Sequence, residues 1–142
     1  MADDVCILLI DDDDIDAELI TRGFRKKRIA NRILRARDGV EGLEMLSTPG
    51  RVPEPYLILL DINMPRMNGH EFLERLRAEP RLHGAVVFVL TTSDADRDKM
   101  QAYARNVAGY IVKDHAGTDF IALIELLDHY WRIVELPSPG PG

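Results

Sequence analysis

The sequence predicts a doubly wound α/β domain: five parallel strands in the order 2-1-3-4-5, with helices on both faces. Three observations point there. Strand-like and helix-like patterns alternate along all 142 residues. Several strand runs are apolar without alternation, Val86-Val87-Phe88-Val89-Leu90 above all, as expected of parallel strands covered on both faces. Two runs end in aspartate, Val5–Ile10 in Asp11-Asp12 and Tyr56–Leu60 in Asp61. The stated order puts those strand ends side by side, at the switch point where open α/β sheets place their sites.

The elements follow in chain order. After the first strand, Ile15, Leu19, Ile20 and Phe24 recur at helical spacing. A short strand lies near Arg32–Ala36. A helix follows with Val40, Leu43 and Leu46, and Asp38 is placed to cap it. Thr48–Pro55 is a loop by its Pro and Gly content. The third strand, Tyr56–Leu60, leads through Pro65 and Asn68-Gly69 into a helix bearing Phe72, Leu73 and Leu76, which Pro80 ends. The fourth strand, Ala85–Leu90, leads to Thr91, and Ser93 or Asp94 can cap the next helix. A fifth strand, Gly109–Val112, ends at Lys113, and a last helix runs from near Gly117 to about Val134. Residues 1–136 are expected to form one domain and 137–142, rich in Pro and Gly, a flexible tail.

Composition narrows the function. Hydrophobic residues make up 46% and charged residues 30%, enough for an ordinary globular core. The formal net charge of −6 argues against nucleic acid or an anionic membrane as partner. Against that trend runs a basic stretch: Arg22, Arg25, Lys26, Lys27, Arg28, Arg32, Arg35 and Arg37. It reads as a solvated helix end and strand, or as a docking surface for an acidic partner. The single cysteine, Cys6, lies in an apolar strand and is expected to be buried and inert. No signal peptide or membrane span is evident, so a cytoplasmic location is expected.

The strand ends carry the chemistry. Three crowded carboxylates repel one another, and hard oxygen donors without His or Cys suit magnesium better than zinc. Asp61 is a candidate nucleophile toward phosphorus. Lys113 can supply a point charge to phosphoryl oxygens, and Thr91 a hydroxyl. Each has a plain alternative, because strand-end Asp and Thr often cap helices and a lone Lys is usually solvated. Their meeting at one predicted edge favours the chemical reading. Asp13 and Asp14 read as first-turn helix acids. The histidines His70, His83, His115 and His129 are scattered, which argues against a metal centre made of them.

The chain resembles the receiver domain of two-component response regulators over essentially its whole length. The matching residues are Asp11-Asp12, Asp61 in Asp61-Ile62-Asn63-Met64-Pro65-Arg66-Met67-Asn68-Gly69, Thr91 after Val89-Leu90, and Gly109-Tyr110-Ile111-Val112-Lys113. It is most similar to the stand-alone, chemotaxis-protein-like receivers associated with phytochrome kinases, by the approach to the third strand, Leu90-Thr91-Thr92-Ser93-Asp94 and Tyr130-Trp131. The resemblance implies the flavodoxin-like receiver fold and roles for particular residues. Asp61 would take a phosphoryl group from a sensor histidine kinase, a phytochrome-type kinase in this subgroup. Asp11, Asp12, Asp61 and the Asn63 carbonyl would hold Mg2+. Thr91 and Lys113 would hold phosphoryl oxygens, and Tyr110 would be the aromatic switch. Asn63 and Ser93 would flank the path of hydrolytic water. One position departs from the family: Asp114, not proline, follows Lys113, so a trans bond is expected there.

The expected activity is Mg-dependent autophosphorylation and autodephosphorylation, not turnover of a separate substrate. With no output domain after the receiver, output is expected through protein contact or phosphorelay. In the last helix, Phe120, Leu123, Ile124, Leu127 and Trp131 form a core stripe. Ala122, Leu126, Tyr130 and Ile133 form an offset one, which suggests a homodimer through this helix. Two rivals share the topology. A haloacid-dehalogenase-type phosphatase wants a carboxylate two positions after its nucleophile, where this chain has Asn63. A flavodoxin-like cofactor binder wants a phosphate loop where this chain has four aspartates.

Overall fold

A computed structural model describes residues 5–27, 31–62, 67, 69–82, 84–91, 107–113 and 121–133. The elements are β1 (Cys6–Ile10), α1 (Asp14–Lys26), β2 (Ile33–Ala36), α2 (Gly39–Ser47), β3 (Tyr56–Asp61), α3 (Gly69–Ala78), β4 (Val86–Thr91), β5 (Gly109–Val112) and α4 (Ile121–Ile133). The strands form one sheet in the order β2-β1-β3-β4-β5, and every pairing is parallel. This is the predicted architecture.

Strand alternation splits the core into two layers. On one face Leu8, Ile10, Ile58, Leu60, Val87 and Val89 pack with Met45 and Leu46 of α2 and Phe72, Leu73 and Leu76 of α3. On the other, Ile7, Leu9, Leu57, Leu59, Phe88 and Leu90 pack with Ala17, Ile20 and Phe24 of α1 and Leu123, Ile124 and Leu127 of α4. Each fully buried side chain of this kind contributes about 1.5–3 kcal/mol. Among the described residues β1, β3 and β4 are packed on both faces, so Asp61 and Thr91 come only at the last positions of their otherwise apolar strands.

The helix starts follow from short acids. Asp13 caps α1 by accepting from the N–H groups of Ile15 and Asp16. Asp38 caps α2 by accepting from Glu41 N–H at 2.8 Å, as the sequence predicts.

Two expectations need correction. Ile15 belongs to the helical apolar pattern, yet it is 70% exposed. It lies on the side of α1 turned away from the buried Ala17, Ile20 and Phe24, which face the sheet. Tyr130 is not part of a solvent-facing stripe, because its ring meets Phe88 edge-on at 5.0 Å. Only Ala122 and Leu126 of that stripe are exposed among the described side chains. Much of the basic stretch is balanced internally: Arg22 pairs with Glu18, Lys27 with Glu125, and Arg35 and Arg37 with Asp14. Cys6 is buried, and burial pushes its thiol pKa up. The helix expected after Ser93, the Asp114 peptide bond, Phe120 and the 137–142 tail lie outside the described residues.

Candidate functional site

The site forms where β1, β3, β4 and β5 end together. Parallel register brings Ile10 beside Leu60, Asp61 beside Leu90, and Thr91 beside Val112. Alternation then sorts the polar residues that follow. Asp11 shares parity with Leu9, Asp61 with Leu59, and Lys113 with Ile111, all on the layer covered by α1 and α4. Thr91 shares parity with Val89, and Tyr110 is the register partner of Val89, both on the layer covered by α2 and α3.

Asp11 is fully buried. Its backbone N–H donates to the Ala36 carbonyl at 3.1 Å, and its own carbonyl accepts from Arg35 Nε and Nη2 at 3.2 and 3.0 Å. Its Oδ1 accepts from Asp13 N–H at 2.9 Å. Its Oδ2 is buried with no hydrogen-bond partner. Desolvation raises the Asp11 pKa, and the Asp13 N–H and the Lys113 charge pull it partly back. Asp61 is 3% exposed, and Asp12 is exposed. One carboxylate oxygen from each of Asp11, Asp12 and Asp61 lies within 4.8 Å of the others.

Lys113 completes the group. Its Nζ is 3.5 Å from Asp11 Oδ2 and 3.6 Å from Asp61 Oδ2. Burial disfavours the charged ammonium, but the surrounding acids prevail and its pKa is raised. Thr91 is fully buried at the end of β4. Tyr110 is half-buried in β5, and burial raises its phenol pKa. The predicted residues Asp11, Asp12, Asp61 and Lys113 are therefore brought together, with Thr91 at the same edge. Asn63 lies outside the described residues.

Two residues of the site were not singled out from sequence. Asp16 accepts a hydrogen bond from Lys113 Nζ at 2.6 Å. A signal existed: Asp16, Ile20 and Phe24 are spaced at i, i+4 and i+8, and the latter two are buried, so an acid occupies an inward position of α1. Arg35 is the other, hidden within the basic stretch.

The donor set suits a hard divalent cation. Three carboxylates each bring an oxygen to one place, Asp11 among them carries a buried oxygen without a hydrogen-bond partner, and no sulfur or imidazole joins the group. A cation there would offset the mutual repulsion of the three carboxylates.

Comparison with known proteins decides the family. The sequence profile of the response regulator receiver domain matches residues 7–125. The chain belongs to the response regulator receiver domain family. These receivers are signalling proteins of two-component systems, and receivers of this type are phosphorylated by histidine kinases. Among relatives, the probable methanogenesis regulatory protein FilR2 of Methanothrix harundinacea is 36% identical over 142 residues, 99% of this chain and 91% of that protein. Response regulator Rcp1 of Synechocystis is 31% identical over 136 residues, 93% of this chain and 92% of that protein. The solved Mn2+-bound form of response regulator Rcp1 superposes with a TM-score of 0.77 at 31% identity, covering 94% of this chain and 99% of that one. The phosphorylated cyanobacterial phytochrome response regulator RcpA superposes with a TM-score of 0.72 at 27% identity, covering 93% and 97%. Phytochrome-associated response regulators are thus among this receiver's relatives. No helix among the described residues is long and apolar enough to cross a membrane.

Proposed function

We propose that this receiver accepts a phosphoryl group on Asp61 from a phosphohistidine of a sensor histidine kinase. The observation that carries the reading is the meeting of Asp61 with two further acids and one ammonium at a single strand edge. An Asp61 carboxylate oxygen attacks phosphorus, the P–N bond to the kinase imidazole breaks, and an acyl phosphate forms. Lys113 moves with the transferred charge and holds a phosphoryl oxygen, and the Thr91 hydroxyl donates to another. Tyr110, on the same layer as Thr91, follows that hydroxyl inward. Asp11, Asp12 and Asp61 would hold Mg2+, with Asn63 expected from the resemblance as the fourth contributor. When bound, the cation neutralises the oxygens of the incoming phosphoryl group. Metal carried by the Rcp1 structure supports this reading.

The kinase is of the phytochrome type in this reading, which the likeness to RcpA and Rcp1 supports. The receiver acts in the cytoplasm, as one domain over residues 1–136 with 137–142 as a tail. It passes its signal by protein contact or by onward phosphoryl transfer. A homodimer through α4 fits the exposure of Ala122 and Leu126. Incubation with a phosphorylated phytochrome-type kinase and Mg2+ tests the function. Label should move to the receiver and not to its Asp61→Asn variant. Equal labelling of both would refute Asp61 as acceptor.

A further inference from the structure

Lys113 makes its single hydrogen bond among the described residues to Asp16, at 2.6 Å. Its distances to Asp11 and Asp61, 3.5 and 3.6 Å, exceed the roughly 2.7–2.9 Å of a charge-assisted hydrogen bond. Three acids therefore share one ammonium, and the one outside the metal-binding trio holds it. Asp16 is well placed for this. Its backbone is fixed in the first turn of α1, under the Asp13 cap, and its side chain is only 18% exposed. Lys113 is 14% exposed, so water does little to screen the pair.

The consequence is a competition for one cation. An ammonium seated against Asp11 and Asp61 would occupy the oxygens that a divalent ion needs. An ammonium seated against Asp16 leaves them open. We propose that Asp16 is a positioning residue that withdraws Lys113 from Asp11 and Asp61 in the resting protein, keeping those oxygens open to a divalent cation, and surrenders Lys113 when Asp61 is phosphorylated. The second half rests on Asp61 being the phosphoacceptor; the first half does not. Phosphorylation replaces the single charge of the Asp61 carboxylate with a phosphoryl group carrying nearly two negative charges, and that group outcompetes the single charge of Asp16 for a flexible lysine.

A double-mutant cycle on Mn2+ affinity, read by calorimetry, tests the withdrawal. In the wild-type background Asp16→Asn should weaken Mn2+ binding by about five-fold, a coupling of the size seen between contacting charges. In a Lys113→Met background the same change should cost less than about two-fold, because the ammonium that Asp16 restrains is gone. Asp16→Glu, which keeps the charge, should bind Mn2+ more tightly than Asp16→Asn. Equal weakening by Asp16→Asn in both backgrounds would mean only the loss of one negative charge from the surroundings, and would overturn the proposal. So would no weakening in either.

Acetyl phosphate at saturating Mg2+ tests the surrender. Asp16→Asn should load Asp61 faster than wild type, because Lys113 no longer has to leave a competitor. Loading no faster than wild type overturns this half. If no protein, wild type included, acquires a phosphoryl group, the phosphoacceptor reading fails, while the Mn2+ cycle still judges the tether.

Discussion

Arg35 grips the backbone of Asp11, donating from Nε at 3.2 Å and from Nη2 at 3.0 Å to the same carbonyl oxygen. The side chain comes from edge strand β2, and through Asp14 it also holds the first turn of α1. The turn between β1 and α1 is thus clamped to the neighbouring strand, and that turn aims Asp11 and Asp12.

Arg35→Met keeps the aliphatic stem and removes the clamp. The lost hydrogen bonds to the Asp11 carbonyl should lower stability by about 1–2 kcal/mol, seen as a lower urea midpoint at unchanged slope. Divalent affinity should fall as well. An unchanged midpoint would show the clamp to be incidental.

Asp11 should be a stability liability without metal. Its folded pKa is raised above the ordinary 3.8, chiefly by burial, so folding disfavours its charged form. The sign follows from linkage: the protonated group favours the fold below the ordinary aspartate value, and that favour is lost as pH rises through the raised value. Asp11→Asn should therefore raise the urea midpoint of chelator-treated protein at pH 7, with a gain that shrinks as pH falls toward the ordinary value. A gain that grows on acidification would contradict the raised pKa.

Gly69 sits where a side chain cannot. A Cβ there would lie 2.8 Å from the Ile62 Cα, and Gly69 N–H donates to the Ile62 carbonyl at 3.1 Å. Ile62 follows Asp61, so relief of this contact moves the backbone next to Asp61. Gly69→Ala should cost about 1–3 kcal/mol by overpacking and weaken divalent binding. Gly84→Ala, whose Cβ meets nothing within 4 Å, is the control and should leave metal binding unchanged.

These residues show what a one-dimensional reading can and cannot see. Unbroken apolar runs such as Tyr56–Leu60 announced central parallel strands, and the acids that end two of them announced the site. Topology did the rest, since the order β2-β1-β3-β4-β5 sets those strands side by side. Asp16 escaped notice because an acid in a first helical turn is explained by the helix dipole alone. Its true partner, Lys113, is far away in sequence. Arg35 escaped notice because a cluster of basic residues reads as solvent-facing. Ile15 and Tyr130 failed in opposite directions: Ile15 lies away from the buried side of α1, whereas Tyr130, on the offset side of α4, still reaches Phe88.

The dimer hypothesis turns on Leu126, which is 48% exposed on α4. Sedimentation at micromolar concentration should find a dimer for the wild type and a monomer for Leu126→Glu. The variant's stability should change by no more than about 0.5 kcal/mol, as for a surface position. A wild-type monomer, with or without phosphorylation, would remove the hypothesis.

The acceptor claim meets its most direct test in intact-mass measurement after incubation with acetyl phosphate and Mg2+, followed by peptide mapping. The wild type should gain the mass of one phosphoryl group, carried on the peptide containing Asp61. The gain should vanish in Asp61→Asn and when the cation is chelated. A phosphoryl group that persists in Asp61→Asn, or maps to another residue, would contradict the account.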